Sequence, residues 1–148
     1  MRRPCYRSWS TDRTLRFALA LAAALLATAP AFGQDSHRKE DADKHARIAA
    51  AHEAAAACLQ AGGKDCHDKL RAACKGIAVG PHCGLIRQPG EFKDEAAHLA
   101  AHRQMAAVHG AAAKCLQGST DYKQCQAQLM RDCGGIGIGK YCGMRHSH

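Results

Sequence analysis

Aromatic side chains are few in this chain, with three Phe, three Tyr and one Trp among 148 residues. Its basic residues are scattered as well, and together these two features argue against nucleic-acid binding, which needs stacking platforms on a concentrated cationic surface. No Cys-x-x-Cys pair occurs, so the chain does not read as a thiol oxidoreductase. Ser119 and Ser147 stand in no recognisable nucleophile motif. His98-x-x-x-His102 is without the glutamate that metalloprotease chemistry places after the first histidine. The expectation is a protein that is not an enzyme. No apolar run reaches the roughly 20 residues of a bilayer span. Bulky aliphatic side chains are scarce, and a core made largely of alanine buries little area at about 25 cal/mol per Å2. Covalent staples or a bound metal are the expected remedy.

At the N-terminus, Arg2, Arg3, Arg7, Arg13 and Arg16 precede an apolar segment from Phe17 to Ala29, which has the length of a signal-peptide core. Small residues at Ala31 and Gly33 suit a signal peptidase, so residues 1–33 read as a leader cut after Gly33. Cys5 lies ahead of the apolar segment and is no lipid-attachment site. Cleavage would remove five of 21 basic and one of 13 acidic residues, so the excess charge falls from +8 to +4, and nine cysteines become eight. An even cysteine count in a small exported domain predicts disulfides. The expected location is periplasmic or secreted, with no stable membrane insertion.

The rest of the chain is a duplication. The segment His45 to Gln60, with His52, Cys58 and Leu59, aligns without a gap on His102 to Gln117, with His109, Cys115 and Leu116. After a two-residue insertion, Cys66, Leu70, Cys74, Gly76, Ile77, Gly80, Cys83 and Gly84 fall on Cys125, Leu129, Cys133, Gly135, Ile136, Gly139, Cys142 and Gly143. Pro89-Gly90 reads as a linker between residues 34–88 and 91–148. Strings of alanine predict long helices over Arg38–Gln60 and Glu91–Gln117, stopped by Ala61-Gly62-Gly63-Lys64 and Gly118-Ser119-Thr120. Shorter helices follow. Asp65 and Asp121 are their expected N-caps, Gln124 gives the second a capping-box pattern, and Gly76 and Gly134-Gly135 end them. The expected fold is all-α: two tandem disulfide-stapled helical hairpins forming a four-helix assembly about a pseudo-two-fold.

Each repeat has four cysteines and therefore three possible pairings. Two cysteines eight residues apart on one helix are separated by about 12 Å, beyond the roughly 7 Å that a disulfide bridges, which excludes Cys66 with Cys74. Cys58 with Cys66 and Cys74 with Cys83, or Cys58 with Cys74 and Cys66 with Cys83, both remain. The same choice holds for Cys115, Cys125, Cys133 and Cys142.

The histidines repeat too. At about 100° per residue, His98, His102, Met105 and His109 form one stripe, and its counterpart reads Asp41, His45, Ile48 and His52. The stripe borders an apolar face, so His45, His52, His102 and His109 can converge across a helix interface, with His98, Met105 and Asp41 nearby. At the C-terminus, Cys142, Met144, His146 and His148 stand at every other position, on one side of an extended segment. Imidazole and thioether donors favour copper. This ending and the Cys-Leu-Gln that closes each histidine-bearing alanine helix resemble small histidine-, methionine- and cysteine-rich periplasmic proteins of bacterial copper handling, although the first repeat has no methionine. The resemblance implies metal sequestration or tolerance. The expected ligands are His45, His52, His98, His102, Met105, His109, Met144, His146 and His148, for copper ahead of zinc or nickel. The alternative is a disulfide-stapled helical interaction protein, an inhibitor or periplasmic chaperone, that takes no metal.

Overall fold

Four helices carry the fold: α1 (Phe32–Gln60), α2 (Cys66–Ala73), α3 (Glu95–Gly118) and α4 (Tyr122–Asp132), with a 3-10 turn at Pro89–Glu91. The computed structural model describes residues 32–118 and 121–146, so the expected leader lies outside the described residues except for its last two positions. Among the described residues there is no strand, only the isolated bridges Ala78 to Met144 and Leu85 to Gly137. Over the described residues the chain is all-α and four-helical.

The helix boundaries differ from expectation for local reasons. α1 starts at Phe32 rather than Arg38. Its polar first turns carry an i,i+3 pair, Arg38 to Asp35 at 2.8 Å, and an i,i+4 pair, Lys44 to Glu40 at 2.7 Å, spacings that support a helix. α3 begins at Glu95 rather than Glu91. Pro89 opens a separate turn closed by Gln88 N–H donating to Glu91 Oε2 at 2.9 Å, and Asp94 then caps α3 by accepting from Ala97 N–H at 2.7 Å. Asp121 caps α4 as expected, accepting from Gln124 N–H at 3.0 Å. Asp65 stands at the N-cap position of α2 as expected, but its side chain makes no capping hydrogen bond and pairs with Lys69 at 3.0 Å instead.

The disulfides are Cys58–Cys66, Cys74–Cys83, Cys115–Cys125 and Cys133–Cys142. This is the sequence-adjacent one of the two open pairings. In each repeat, one bridge ties the end of the long helix to the start of the short one, and the other ties the short helix to the glycine-rich tail.

Those tails join the repeats. Val79 N–H donates to Gly143 O and Ile138 N–H to Gly84 O, both at 2.8 Å. Arg145 N–H donates to Ile77 O at 2.8 Å and Ile86 N–H to Ile136 O at 3.0 Å. Each bond is the image of its partner under the repeat alignment, so the tails cross about a pseudo-two-fold. The crossing lies at Gly84 and Gly143, with φ of +89° and +82°. A Cβ on Gly84 would stand 2.8 Å from Cys142 O and 2.9 Å from Gly143 Cα, so the backbones approach as only glycine permits. The crossing completes two small cores. Met144 fills the one made by Ile48, Ala51, Ala55, Leu70 and Ile77, and Leu85 fills its image, made by Met105, Val108, Ala112 and Leu129.

Candidate metal centre

The first repeat's long helix runs antiparallel to the second's. His45 on α1 meets His109 on α3, and His52 on α1 meets His102 on α3, so both contacts are images of each other. All four rings are 0% exposed, which makes their nitrogens dependent on protein partners. Nδ1 stands 2.7 Å from Nδ1 in the first pair and 2.9 Å in the second. Two nitrogens on one tetrahedral ion with bonds of 2.0–2.1 Å would stand about 3.3 Å apart, so the closer spacing of these pairs is that of N–H···N hydrogen bonds. His52 Nε2–H donates to Cys83 O and His109 Nε2–H to Cys142 O, both at 3.0 Å. The expected convergence of four histidines is thus replaced by two separate pairs. Burial, chiefly, pushes His45 and His102 down to about 3, and His52 and His109 down to about 4, so all four rings are neutral near pH 7.

Beyond the His52–His102 pair the imidazoles accumulate. One nitrogen from each of His67, His98 and His102 lies within 4.8 Å of the others. His102 Nε2 is 3.2 Å from His98 Nε2, and the His67 ring stacks on the His98 ring at 5.1 Å. His82 meets His67 edge to face at 5.7 Å, and Phe92 also stacks on His98 at 4.7 Å. α3 supplies His98 and His102 one turn apart, the first turn of α2 supplies His67, and the tail before Cys83 supplies His82. His67 Nδ1 and His82 Nδ1 are buried with no hydrogen-bond partner among the described residues, so two nitrogens here are open to a ligand. Burial and the neighbouring imidazoles hold His98 and His82 below the ordinary histidine range, which keeps lone pairs available.

The opposite end of the pseudo-two-fold is built differently. The image of His98 is Asp41, that of His67 is Gln126 and that of His82 is Tyr141. Tyr122 Oη–H donates to Asp41 Oδ2 at 2.7 Å, and Gln126 Nε2 donates to Tyr122 Oη at 3.1 Å. His146 Nδ1 stands 3.5 Å from Asp41 Oδ2, and its ring packs on Tyr141. Burial and the Asp41 carboxylate raise the Tyr122 hydroxyl above its usual range, so it remains a donor.

Of the residues expected to bind metal, the structure brings His98 and His102 together. His45, His52 and His109 occupy the hydrogen-bonded pairs. Met105 lies in the second core, with its sulfur 3.7 Å from Cys142 Sγ, and Met144 fills the first core. Both thioethers are taken up in packing, His146 joins the Asp41 network, and His148 lies outside the described residues. Sequence reasoning missed His67 and His82. Neither is repeated, so a search for duplicated positions passes over them, yet each directly neighbours a bridging cysteine, Cys66 or Cys83. Comparison with family models, with curated proteins and with solved structures gives no match for this chain.

Proposed function

We propose that this protein binds one divalent transition-metal ion at His67, His98 and His102, with His82 beside them, and serves in metal sequestration or tolerance outside the cytoplasm. The observation that carries the proposal is the gathering of three imidazole nitrogens within 4.8 Å, two of the three residues being buried. All eight cysteines of the described residues are in disulfides and both core methionines are enclosed, so the donors are imidazoles alone. Such a set suits copper(II), zinc and nickel, and the divalent affinity order puts copper first. Four disulfides fit the oxidising compartment to which the N-terminal leader would send the chain. No helix among the described residues is long and apolar enough to cross a membrane.

The test is calorimetric titration of the oxidised protein with copper(II), zinc and nickel, beside the variant His67→Ala/His98→Ala. Neither ring belongs to the two buried Nδ1–Nδ1 pairs or to the apolar cores, so the fold should survive, as circular dichroism would check. One bound ion in the wild type and a loss of more than about tenfold in affinity in the variant is the expected result. Equal binding by both, or none by either, would reject the site. The disulfide-stapled interaction protein would then be the better reading, with Ile86 and Ile138 among its exposed apolar side chains.

A further inference from the structure

The carbonyl of Cys83 can only accept, so in the 3.0 Å contact it is His52 Nε2 that carries the hydrogen. A neutral imidazole has a single N–H, which leaves His52 Nδ1 as a bare acceptor. Across the 2.9 Å contact between the two Nδ1 atoms, the hydrogen therefore belongs to His102. His102 is neutral in its turn, so its lone pair is on Nε2. That is the nitrogen facing His98 in the cluster.

We infer that His52 is a positioning residue for the metal site, transmitting the fixed acceptor character of the Cys83 carbonyl to His102 so that Nε2 is held deprotonated and aimed at the ion. The inference rests on the metal reading of His67, His98 and His102. A ligating histidine is ordinarily held through its second ring nitrogen by a carbonyl or carboxylate, and loss of that partner lowers metal affinity by about 10–100-fold. Here the partner is another imidazole, with a carbonyl behind it. The anchor itself is fixed: Cys83 has φ of 55°, a left-handed conformation uncommon for a residue with a Cβ, and its side chain is tied to Cys74.

The duplication supplies a matched control. His109 is as deeply buried as His52, donates to Cys142 O at the same 3.0 Å and accepts from His45 Nδ1 at 2.7 Å. Its relay ends on His45 Nε2, which has no hydrogen-bond partner among the described residues and is not part of the imidazole cluster. Removing His109 therefore imposes the same structural loss without touching His102.

Zinc is the probe, titrated into the oxidised wild type and into His52→Leu, His52→Gln and His109→Leu. His52→Leu should bind zinc about 10–100-fold more weakly, whereas His109→Leu should stay close to wild type. His52→Gln offers both an acceptor oxygen and a donor amide and should recover part of the loss. Equal weakening by the two leucine variants would reduce His52 to a packing role, and unchanged affinity in His52→Leu would overturn the inference outright. Absence of zinc binding by the wild type would reject the metal reading itself, a distinguishable outcome. If His52→Leu does not fold, nitrogen NMR of labelled histidines in the metal-free wild type decides: the hydrogen on His102 must be at Nδ1, and finding it at Nε2 overturns the relay.

Discussion

A buried imidazole has one donor and one acceptor to satisfy, and in this protein the cheapest partner for it is another imidazole. The pairing of His45 with His109 works only while both rings are neutral or share a single charge, because a proton on each would leave two donors facing each other at 2.7 Å. Burial holds the two below their ordinary value of 6.5, at about 3 and about 4, with the nearby His146 adding to the effect on His45. A histidine depressed on folding takes up protons more readily in the unfolded chain, so it stabilises fully above pH 6.5, and that contribution is lost as pH falls toward 4. At pH 5.5 the loss is about 1.4 kcal/mol for each ring. Urea unfolding of the metal-free protein between pH 7 and pH 4.5 should show this decline, and the double variant His45→Leu/His109→Leu should lessen it, with the His52–His102 pair carrying the remainder. An equally steep dependence in the variant would mean that other groups carry it.

At the level of elements, the helices were legible from sequence and the tails were not. Alanine runs broken by Gly62-Gly63 and Gly118, with Asp121 placed to cap, are local signals, and the helices formed where they pointed. The tail crossing has no local signal, because each of its hydrogen bonds joins residues about 60 positions apart and depends on the close approach of Gly84 and Gly143. Met144 shows the consequence. Its alternation with His146 and Cys142 suggested an extended ligand set, whereas the crossing turns it inward to close the first repeat's core, as Leu85 closes the second's. Met144→Ala and Leu85→Ala should therefore each cost about 2–5 kcal/mol in denaturant unfolding and leave metal affinity unchanged. A drop in metal affinity in Met144→Ala, with little change in stability, would return that thioether to the ligand set. The bridges obey the same symmetry: Cys58→Ser and Cys115→Ser should each lose about 2–5 kcal/mol, and a clear inequality would show that the two hairpins depend on their staples differently.

Considered whole, the molecule is symmetric in its backbone and asymmetric in its chemistry. Duplication explains why His45, His52, His102 and His109 recur as two structural pairs, and the candidate site joins one of them, His102, to the unrepeated His67, His82 and His98, whose images are Gln126, Tyr141 and Asp41. Both relays end in a bare Nε2, on His102 at one end and on His45 at the other. Only the first belongs to a cluster of three imidazoles, whereas the imidazole near the second, His146, is engaged with Asp41. The binding stoichiometry should therefore be one ion per chain, set by what surrounds each Nε2 and not by the helical frame. The frame can be tested by completing the second end, since Asp41→His and Gln126→His place imidazoles at the images of His98 and His67, around His45. These changes remove the Tyr122 hydrogen bond to Asp41, so some stability is lost, but the disulfides and the tail crossing are untouched. Zinc titration of this double variant should rise from one ion to two, and adding His67→Ala/His98→Ala should return it to one, now held at the new end. A folded double variant that still takes one ion would mean that the equivalence of the two ends stops at the backbone, and that the spacing within the imidazole cluster depends on features such as Phe92 that the second end does not repeat.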